Sequence, residues 1–391
     1  MAATNIKDVL ELLRTKVHGA DSSTSLDELN NMVKAAQIAH TPMIRHYDSD
    51  GSLPTATTTE QRLAFITSTG SIKMNNGRRW ETTSATHTPT PPPWQPGFND
   101  IAGYATGGTG NTDTIQKWSH TSDGDATDIG DLAVARRGNT GASNSTTGWV
   151  LGSIQASQIS PSFNRVDKFP FATETGAAAG DITNTGSRRS GVAMTETAGY
   201  IMGGQAPAAV SRIEKYTYAS ESSVTITAAL SSTNSLFASA SSTVNGYAMG
   251  GQPFDGVRGT RIEKFPFASE DTVTDIANLL QSVNKVSGVG DTTHGYALGG
   301  QLGPPSYTHQ NVIQKFPFAA EDDATDVADL TSGRYFTTNS AGDQSSTHGY
   351  GVGGAYPYSD TVDKFSFASS SNATDVGNLL SAAMDHGNHS N

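Results

Sequence analysis

The chain has 391 residues, which is enough for one large or two ordinary domains with a hydrophobic core. It contains no cysteine, so disulfides, thiolate metal sites and cysteine nucleophiles are excluded. The formal net charge of -12 argues against a general nucleic-acid binder, which needs a basic surface to neutralise phosphate.

The first residues read MAATNIKDVLELLRTKVHG, with charges where a secretory signal needs an apolar segment. No stretch approaches the roughly 18 apolar residues of a membrane span. We therefore expect a protein that is made soluble in the cytosol and is not inserted in a membrane.

Two amphipathic helices are predicted within residues 1–40, because apolar residues recur there at helical spacing. The two stripes comprise Ile6, Val9, Leu10, Leu13 and Val17, then Leu26, Leu29, Val33 and Ala36. Ser25 followed by Glu28 is typical of a capping box. Helices this short have little core of their own, so we expect their apolar faces to mediate oligomerisation or attachment to a larger assembly.

A small β meander is predicted within residues 41–86, where RLAFITSTGSIKMNNGRRWETT alternates around two turn signals. The proline-rich segment HTPTPPPWQPG falls in residues 87–100 and predicts a stiff linker.

From residue 101 to residue 391, three phrases recur in six copies with a period of about fifty residues. The first phrase resembles GYALGG and begins at Gly103, Gly148, Gly199, Gly246, Gly295 and Gly349. The second resembles IQKFPF and contains Lys117, Lys168, Lys215, Lys264, Lys315 and Lys364. The third is centred on Ile129, Ile182, Ile226, Ile276, Val327 and Val376. Each phrase predicts a strand, and one more strand before each GY completes a four-stranded propeller blade.

The second phrase predicts which side chains share a face. Phe265 and Phe267 lie at positions i and i+2 of a strand and should face one side, while Lys264 faces the other. Pro266 cannot donate to a ladder, so it should lie at a sheet edge or at the end of the strand. The paired glycines of the first phrase permit close approach or positive φ.

The ends of the repeat array predict how it closes. LLSAAMDHGNHSN, residues 379–391, has the length of an interblade strand and follows the last third phrase, whereas no such strand precedes Gly103. We expect this segment to supply the inner strand of the first blade and to leave no open sheet edge. The predicted fold is therefore mainly β, a six-bladed propeller with a small N-terminal α+β assembly region.

The repeated phrases resemble those of kelch β-propellers, and the pair GYxxGG and KFPFAS resembles kelch-like repeats in structural proteins of marine bacteriophages. The segment with LAF, a glycine turn, NNG and a tryptophan is similar to parts of phage fibre proteins. This resemblance implies a tail or head fibre or another appendage of the virion, an oligomer with a trimer favoured. Its N-terminal region would hold other virion proteins, and its propeller would contact a host-surface glycan or protein.

Successive turns of a four-stranded blade alternate between two faces, and the two sets of turns differ in composition. One face is predicted to carry Arg136, Arg137, Arg188, Arg189, Phe254, Arg258, Tyr307, His309, Arg334, Tyr356 and Tyr358. Aromatic rings and guanidinium groups are suited to a shallow carbohydrate or protein site. The alternative is a set of solvated loops whose rings cover the rim of the propeller.

The other face is predicted to carry acidic turns, with Asp123, Asp125, Glu270, Asp271, Glu321, Asp322 and Asp323. Asp123, Asp125 and Asp128 are a weak calcium candidate, because carboxylates are suitable ligands but the full spacing of a calcium loop is missing. The alternative is a solvated acidic rim. The repeated lysines are predicted to be structural, with stems along the sheet or in pairs with Asp128, Asp275, Asp326 and Asp375.

The sequence favours a protein that is not an enzyme and holds no cofactor. It contains no phosphate loop, no HExxH and no nucleophile elbow. Two alternatives to the virion adhesin remain: a cytosolic propeller scaffold for a protein partner, and a virion-borne glycan hydrolase with a cleft between subunits.

Overall fold

The structure is a computed structural model, and it describes residues 44–47, 63–66, 71–75, 80–86, 100–153, 164–183, 190–205, 208–253, 259–336 and 342–391. The chain divides into two compact units, Met1–Pro93 and Trp94–Asn391. The helices predicted within residues 1–40 and all but the last residue of the linker predicted at 87–100 lie outside the described residues.

The described residues of the first unit form one sheet of four strands in sequence order. These strands are β1 (Ile44–Tyr47), β2 (Leu63–Ile66), β3 (Ser71–Asn75) and β4 (Trp80–Thr86). β2, β3 and β4 pair antiparallel in the segment for which a meander is predicted, and β1 adds to β2 in parallel. The parallel strand was not predicted, because a crossover connection carries no local turn signal.

The second unit is a six-bladed β-propeller, as predicted, and each blade is a sheet of four strands. Blade 1 takes β5 (Ala102–Thr106), β6 (Thr112–Ser119) and β7 (Thr127–Arg136). Blade 2 takes β8 (Thr140–Ser143), β9 (Thr147–Leu151), β10 (Arg165–Pro170) and β11 (Ala177–Asp181). Blade 3 takes β12 (Gly191–Met194), β13 (Ala198–Met202), β14 (Arg212–Thr217) and β15 (Ser222–Ala229).

Two of the remaining blades carry an added two-stranded ribbon. Blade 4 contains β16 (Asn234–Ser235), β17 (Ala238–Ser241), β18 (Asn245–Met249), β19 (Gln252–Pro253), β20 (Arg261–Pro266) and β21 (Thr274–Asn278), with β16 paired to β19. Blade 5 contains β22 (Val283–Asn284), β23 (Ser287–Gly290), β24 (His294–Leu298), β25 (Gln301–Leu302), β26 (Val312–Pro317) and β27 (Thr325–Asp329), with β22 paired to β25. Blade 6 contains β28 (Asp343–Gln344), β29 (His348–Val352), β30 (Thr361–Ser366) and β31 (Thr374–Asn378).

The last strand, β32 (Gly387–Ser390), closes the ring by joining blade 1. It pairs antiparallel with β5, with Gly387 opposite Thr106 and Ser390 opposite Gly103. The predicted closure by the C-terminal segment is therefore confirmed. The described residues contain no helix, and consequently none that is long and apolar enough to cross a membrane.

The three repeated phrases meet at each junction between blades, as blade 5 shows. Gly295 lies opposite Phe316 in the ladder, and an added Cβ at Gly295 would overlap the Phe316 ring. The ring of Phe316 also lies against Tyr247 of blade 4, with 5.5 Å between centroids. Phe318, two residues on, stacks on the same tyrosine at 4.5 Å. The glycine of GY thus makes room for an aromatic ring that buries the tyrosine of the preceding blade.

The other junctions repeat this arrangement with variations. Tyr104, Tyr200 and Tyr296 stack on Phe171, Phe267 and Phe367 of the next blade. In the two variant junctions, Trp149 of blade 2 stacks on Tyr218 and Tyr350 of blade 6 stacks on His120. The i and i+2 aromatics therefore do share one buried face, as predicted, and Pro170, Pro266 and Pro317 are the last residues of their strands.

The inner strands lie against one another around the propeller axis, and all their residues are buried. At five of the six junctions an inner-strand N–H donates to a side chain of the neighbouring inner strand. Examples are Ser390 N to Ser143 Oγ at 3.2 Å and Gln344 N to Ser390 Oγ at 3.0 Å. These bonds give partners to backbone N–H groups at the edge that the inner strand of a blade presents to the axis.

In every blade except blade 2, where Ser153 follows Gly152, a glycine pair after the GY strand connects that strand's loop to the interblade crossover. In blade 5, Gly300 has φ of 98° and its N–H donates to Arg334 O in the segment that leads to blade 6. Gly108 N donates in the same way to Arg136 O. The glycine-pair loops and the crossovers therefore lie on one side of the propeller, which we call the crossover face.

Deletion from residue 380 onward is expected to abolish cooperative thermal unfolding of the propeller, measured by circular dichroism. The deletion leaves β5 with an unpaired edge and removes Ser390 from the axis. A peptide of residues 380–391 added in trans should restore the transition, and a scrambled peptide should not. Cooperative unfolding of the truncated chain at the full-length temperature would contradict the closure.

The propeller is expected to lose stability as the pH falls from about 6.5 to 4. Burial lowers the pKa of His386 and of His389 to about 4, and His389 Nδ1 donates to Ala142 O at 3.0 Å. Below pH 6.5, the ordinary pKa of histidine, the unfolded chain binds a proton at each of these histidines, whereas the folded chain does not bind one until about pH 4. Each histidine therefore leaves the free energy of unfolding unchanged above pH 6.5 and lowers it by up to roughly 1.4 kcal/mol per pH unit below that pH.

Urea unfolding at pH 7.5, 6 and 5 measures this loss, and His389→Asn should reduce the slope between pH 6.5 and 5. The difference between the two proteins cancels the contribution of carboxyl groups. An identical slope in both proteins would show that His389 is not held neutral by the fold.

Candidate functional site

The repeated lysines form ion pairs between blades at the rim of the propeller. Lys215 Nζ lies 2.6 Å from Glu270 of the next blade. Lys364 Nζ of blade 6 lies 2.8 Å from Asp123 of blade 1, and this pair links the last blade to the first. Lys117, Lys168 and Lys264 pair in the same way with Glu174, Glu221 and Glu321. The prediction of pairing with Asp128, Asp275, Asp326 and Asp375 is therefore wrong for these lysines. The carboxylate comes from the turn of the neighbouring blade, which a local sequence pattern does not bring near.

The junction between blades 5 and 6 departs from this pattern. The position that holds Glu270 or Glu321 elsewhere is Ser370 in blade 6. Lys315 of blade 5 lies over the Tyr296 ring, with 5.5 Å between Nζ and the centroid.

The three carboxylates of the calcium candidate are engaged separately. Asp123 binds Lys364, Asp125 Oδ1 accepts from Asn378 N at 3.0 Å, and Asp128 Oδ1 accepts from Gly130 N at 3.1 Å. Among the described residues, no group of three or more histidine, aspartate or glutamate side chains has an arrangement that could hold a metal ion.

Two arginines of the predicted binding face are buried inside blade junctions. Arg136 Nη2 lies 2.7 Å from Asp167, and Arg334 Nη2 lies 3.0 Å from Asp363, with all four side chains at most 1% exposed. Burial lowers the pKa of both guanidinium groups, and the carboxylates oppose that shift. Asp363 also accepts from Thr331 N at 3.0 Å. These arginines bind one blade to the next, so their charge is not presented at the loop surface.

The other predicted residues divide into three sets. Arg137 is half-buried at the crossover from blade 1 to blade 2. Arg188, Arg189, Phe254 and Arg258, and the N-terminal Ile6, Val9, Leu10, Leu13, Val17, Leu26, Leu29 and Val33, lie outside the described residues. The remaining four, Tyr307, His309, Tyr356 and Tyr358, come from two neighbouring loops of the crossover face.

Those two loops form a cluster of rings between blades 5 and 6. His309 of the blade 5 loop lies 5.5 Å from Tyr356 of the blade 6 loop, measured between ring centroids. Both rings pack against Tyr335 of the crossover, at 5.1 Å and 5.3 Å. We call Lys285, Gln301, Tyr307, His309, Tyr335, Tyr356 and Tyr358 the aromatic patch.

The outer rings of the aromatic patch are open to solvent. Tyr307, Tyr356 and Tyr358 are 52%, 61% and 52% exposed, whereas Tyr335 beneath them is buried. Tyr307 and Tyr356 have φ of 50° and 64°, a conformation that is costly for a bulky side chain and is often found at functional sites. The fold therefore holds these exposed tyrosines in a backbone conformation that tyrosine does not favour.

The environment of the patch shifts two of its titratable groups. Burial raises the pKa of Tyr335 to about 12, with added effects from Tyr356, Tyr358 and Asp385. Burial, together with the charge of Lys285, lowers the pKa of His309 below its ordinary value of 6.5. At neutral pH His309 and Tyr335 are therefore uncharged, and they lie beside the Lys285 ammonium.

Sequence analysis missed three members of the patch: Lys285, Gln301 and Tyr335. Lys285 lies in the crossover into blade 5, and its N–H donates to Leu236 O of the preceding crossover. The same crossover position holds Gly138, Leu236 and Asp385 in other copies, all with positive φ, so it has no common residue type that would have marked Lys285. The contact of Lys285 and Tyr335 with loops from another part of the chain had no sequence signal.

No family model matches the chain, and a search of curated proteins also finds no match. The kelch-like resemblance therefore stays a prediction beyond the propeller architecture itself.

Arg334→Ala is expected to lower the free energy of unfolding by about 3–5 kcal/mol, because it leaves the buried Asp363 carboxylate unpaired. Guanidinium-induced unfolding measures the change. Arg261→Ala is the matched control, since its 3.3 Å pair with Asp275 is exposed and should contribute less than about 1 kcal/mol. Replacing both partners in R334M/D363L should restore part of the loss. Equal small effects at both arginines would contradict the structural role of Arg334.

Proposed function

We propose that this chain is a bacteriophage virion protein without enzymatic activity, a fibre or other appendage held by its N-terminal region. In this proposal the propeller contacts the host surface, a glycan or a protein, through the aromatic patch. The observation that carries the binding role is the convergence of exposed tyrosines from two loops around His309 and Tyr335. The virion location rests on the resemblance of the repeated phrases and of the 62–83 segment to phage structural proteins.

The repeated residues and the residues of the aromatic patch make different contacts, and this difference supports a binding role for the patch. Tyrosines, phenylalanines and lysines of the repeated phrases are used between blades, in stacked rings and rim ion pairs. Apart from Gln301, whose position holds Gln205 and Gln252 in blades 3 and 4, the aromatic patch is built from residues that the repeat does not share, in loops that differ from blade to blade. Exposed aromatic side chains give much contact area at low entropic cost, and clusters of them mark interaction sites. Several copies on one particle would strengthen a weak single contact.

Sedimentation of lysate from an infected culture tests the virion location. The chain is expected to co-band with nuclease-protected DNA. Recovery only in the soluble cytosolic fraction would contradict the proposal and favour a cytosolic scaffold.

Binding of labelled full-length chain to host cells tests the role of the aromatic patch. Tyr356→Ala should weaken binding roughly tenfold, as expected for an aromatic anchor. Val224→Ala is the control, because Val224 is 57% exposed on the outer strand β15. Unchanged binding by Tyr356→Ala would exclude the patch, and release of reducing sugar from host polysaccharide would overturn the non-enzymatic role.

A further inference from the structure

Lys285 places one positive charge at the centre of the aromatic patch. Its Nζ lies 4.2 Å from the centroid of the Tyr335 ring and donates to Gln301 Oε1 at 3.2 Å. The backbone is held on both sides, because Lys285 N donates to Leu236 O and Lys285 O accepts from Phe336 N. The ammonium is therefore positioned by the fold, with its stem across a buried ring.

The charge of Lys285 reaches the other wall of the patch. It contributes to lowering the pKa of His309, so the field of the ammonium extends across Tyr335 to the imidazole. A cationic ligand would be repelled by this charge, whereas a neutral or anionic group could lie beside it. The net charge of the chain is -12, so a lysine in this place is a local exception to the overall sign.

The rings around Lys285 offer a small apolar surface with polar edges. The centroids of His309, Tyr335 and Tyr356 form a triangle with sides of 5.1, 5.3 and 5.5 Å. Rings at these separations are in contact, so the three rings form one continuous packed surface. The exposed ring of Tyr356 is the apolar face that a sugar ring could cover, and its phenol hydroxyl can hydrogen bond to sugar hydroxyls.

We propose that the aromatic patch binds a saccharide unit that carries a carboxylate, with its C–H face on Tyr356 and His309 and its carboxylate at Lys285 Nζ. This inference rests on the proposed function and narrows its ligand to an acidic sugar, such as a uronic acid. A carboxylate that accepts from an ammonium beside rings forms a charge-assisted hydrogen bond, which is stronger than a neutral one. Binding should weaken as salt concentration rises, because the group lies near the surface.

Calorimetric titration of the full chain tests the proposal with trimers of galacturonic, guluronic and mannuronic acid and with their methyl esters. At least one acid trimer should bind, and its ester should bind roughly tenfold more weakly because the methyl ester replaces the charged carboxylate with a neutral group. Lys285→Met keeps the stem over Tyr335 and should cause a similar loss. Lys315→Met is the matched control, since Lys315 also lies over a tyrosine ring but belongs to the blade 5–blade 6 junction.

The alternative outcomes separate this inference from the proposed function. Equal affinity for acid and ester, with no effect of Lys285→Met, would overturn the acidic ligand and leave a glycan adhesin. Tight binding of triglutamate in place of the sugars would make the ligand an acidic peptide. If none of these probes binds, the acidic-sugar inference fails, and the adhesin role then depends on whether Tyr356→Ala reduces attachment to host cells.

Discussion

The aromatic residue of each GY phrase, a tyrosine in five copies and Trp149 in blade 2, cannot be buried within its own blade, and the rest of the propeller depends on this constraint. Tyr247 is fully buried only because Phe316 and Phe318 of the next blade cover it. Phe316 can lie there because Gly295 beneath it has no side chain. Such aromatic pairs add about 0.5–1.5 kcal/mol each beyond the area they bury. Each blade therefore needs a following blade, and the last blade needs the first.

Ring closure follows from the same requirement. Tyr350 of blade 6 is covered by His120 of blade 1, and blade 1 takes its inner strand from the C-terminal residues. His120 Nε2 also lies 2.8 Å from Asp343 of blade 6, which in turn accepts from Ser390 Oγ. The closing junction thus contains polar contacts that tie blade 6, blade 1 and the C-terminal strand to one another. Trp118 and His120 of blade 1 stand where blades 2, 4, 5 and 6 have phenylalanines and blade 3 has tyrosines.

Most of the described ion pairs join neighbouring blades. Examples are the buried pair of Arg136 with Asp167 and the half-buried pair of Lys215 with Glu270. Lys285 lies among the rings of the aromatic patch and donates to Gln301 Oε1. The glycine-pair loops do not take part in the stacking of the repeated tyrosines between blades. They can therefore vary in length and carry rings without disturbing that stacking. This separation between repeated and unrepeated residues supports a binding role on the crossover face.

The sequence by itself determined the number of blades, their strands and the closure, because a repeated alternation of glycine, aromatic and lysine reports local strand geometry in every copy. It also placed Tyr307, His309, Tyr356 and Tyr358 on one face, since turns alternate along a blade. Only the tertiary structure decided that Arg136 and Arg334 are buried, that the lysines pair with carboxylates such as Glu270, and that Lys285 and Tyr335 belong to the patch. These contacts join residues far apart in the chain. They depend on the angle between neighbouring blades, which no local pattern encodes.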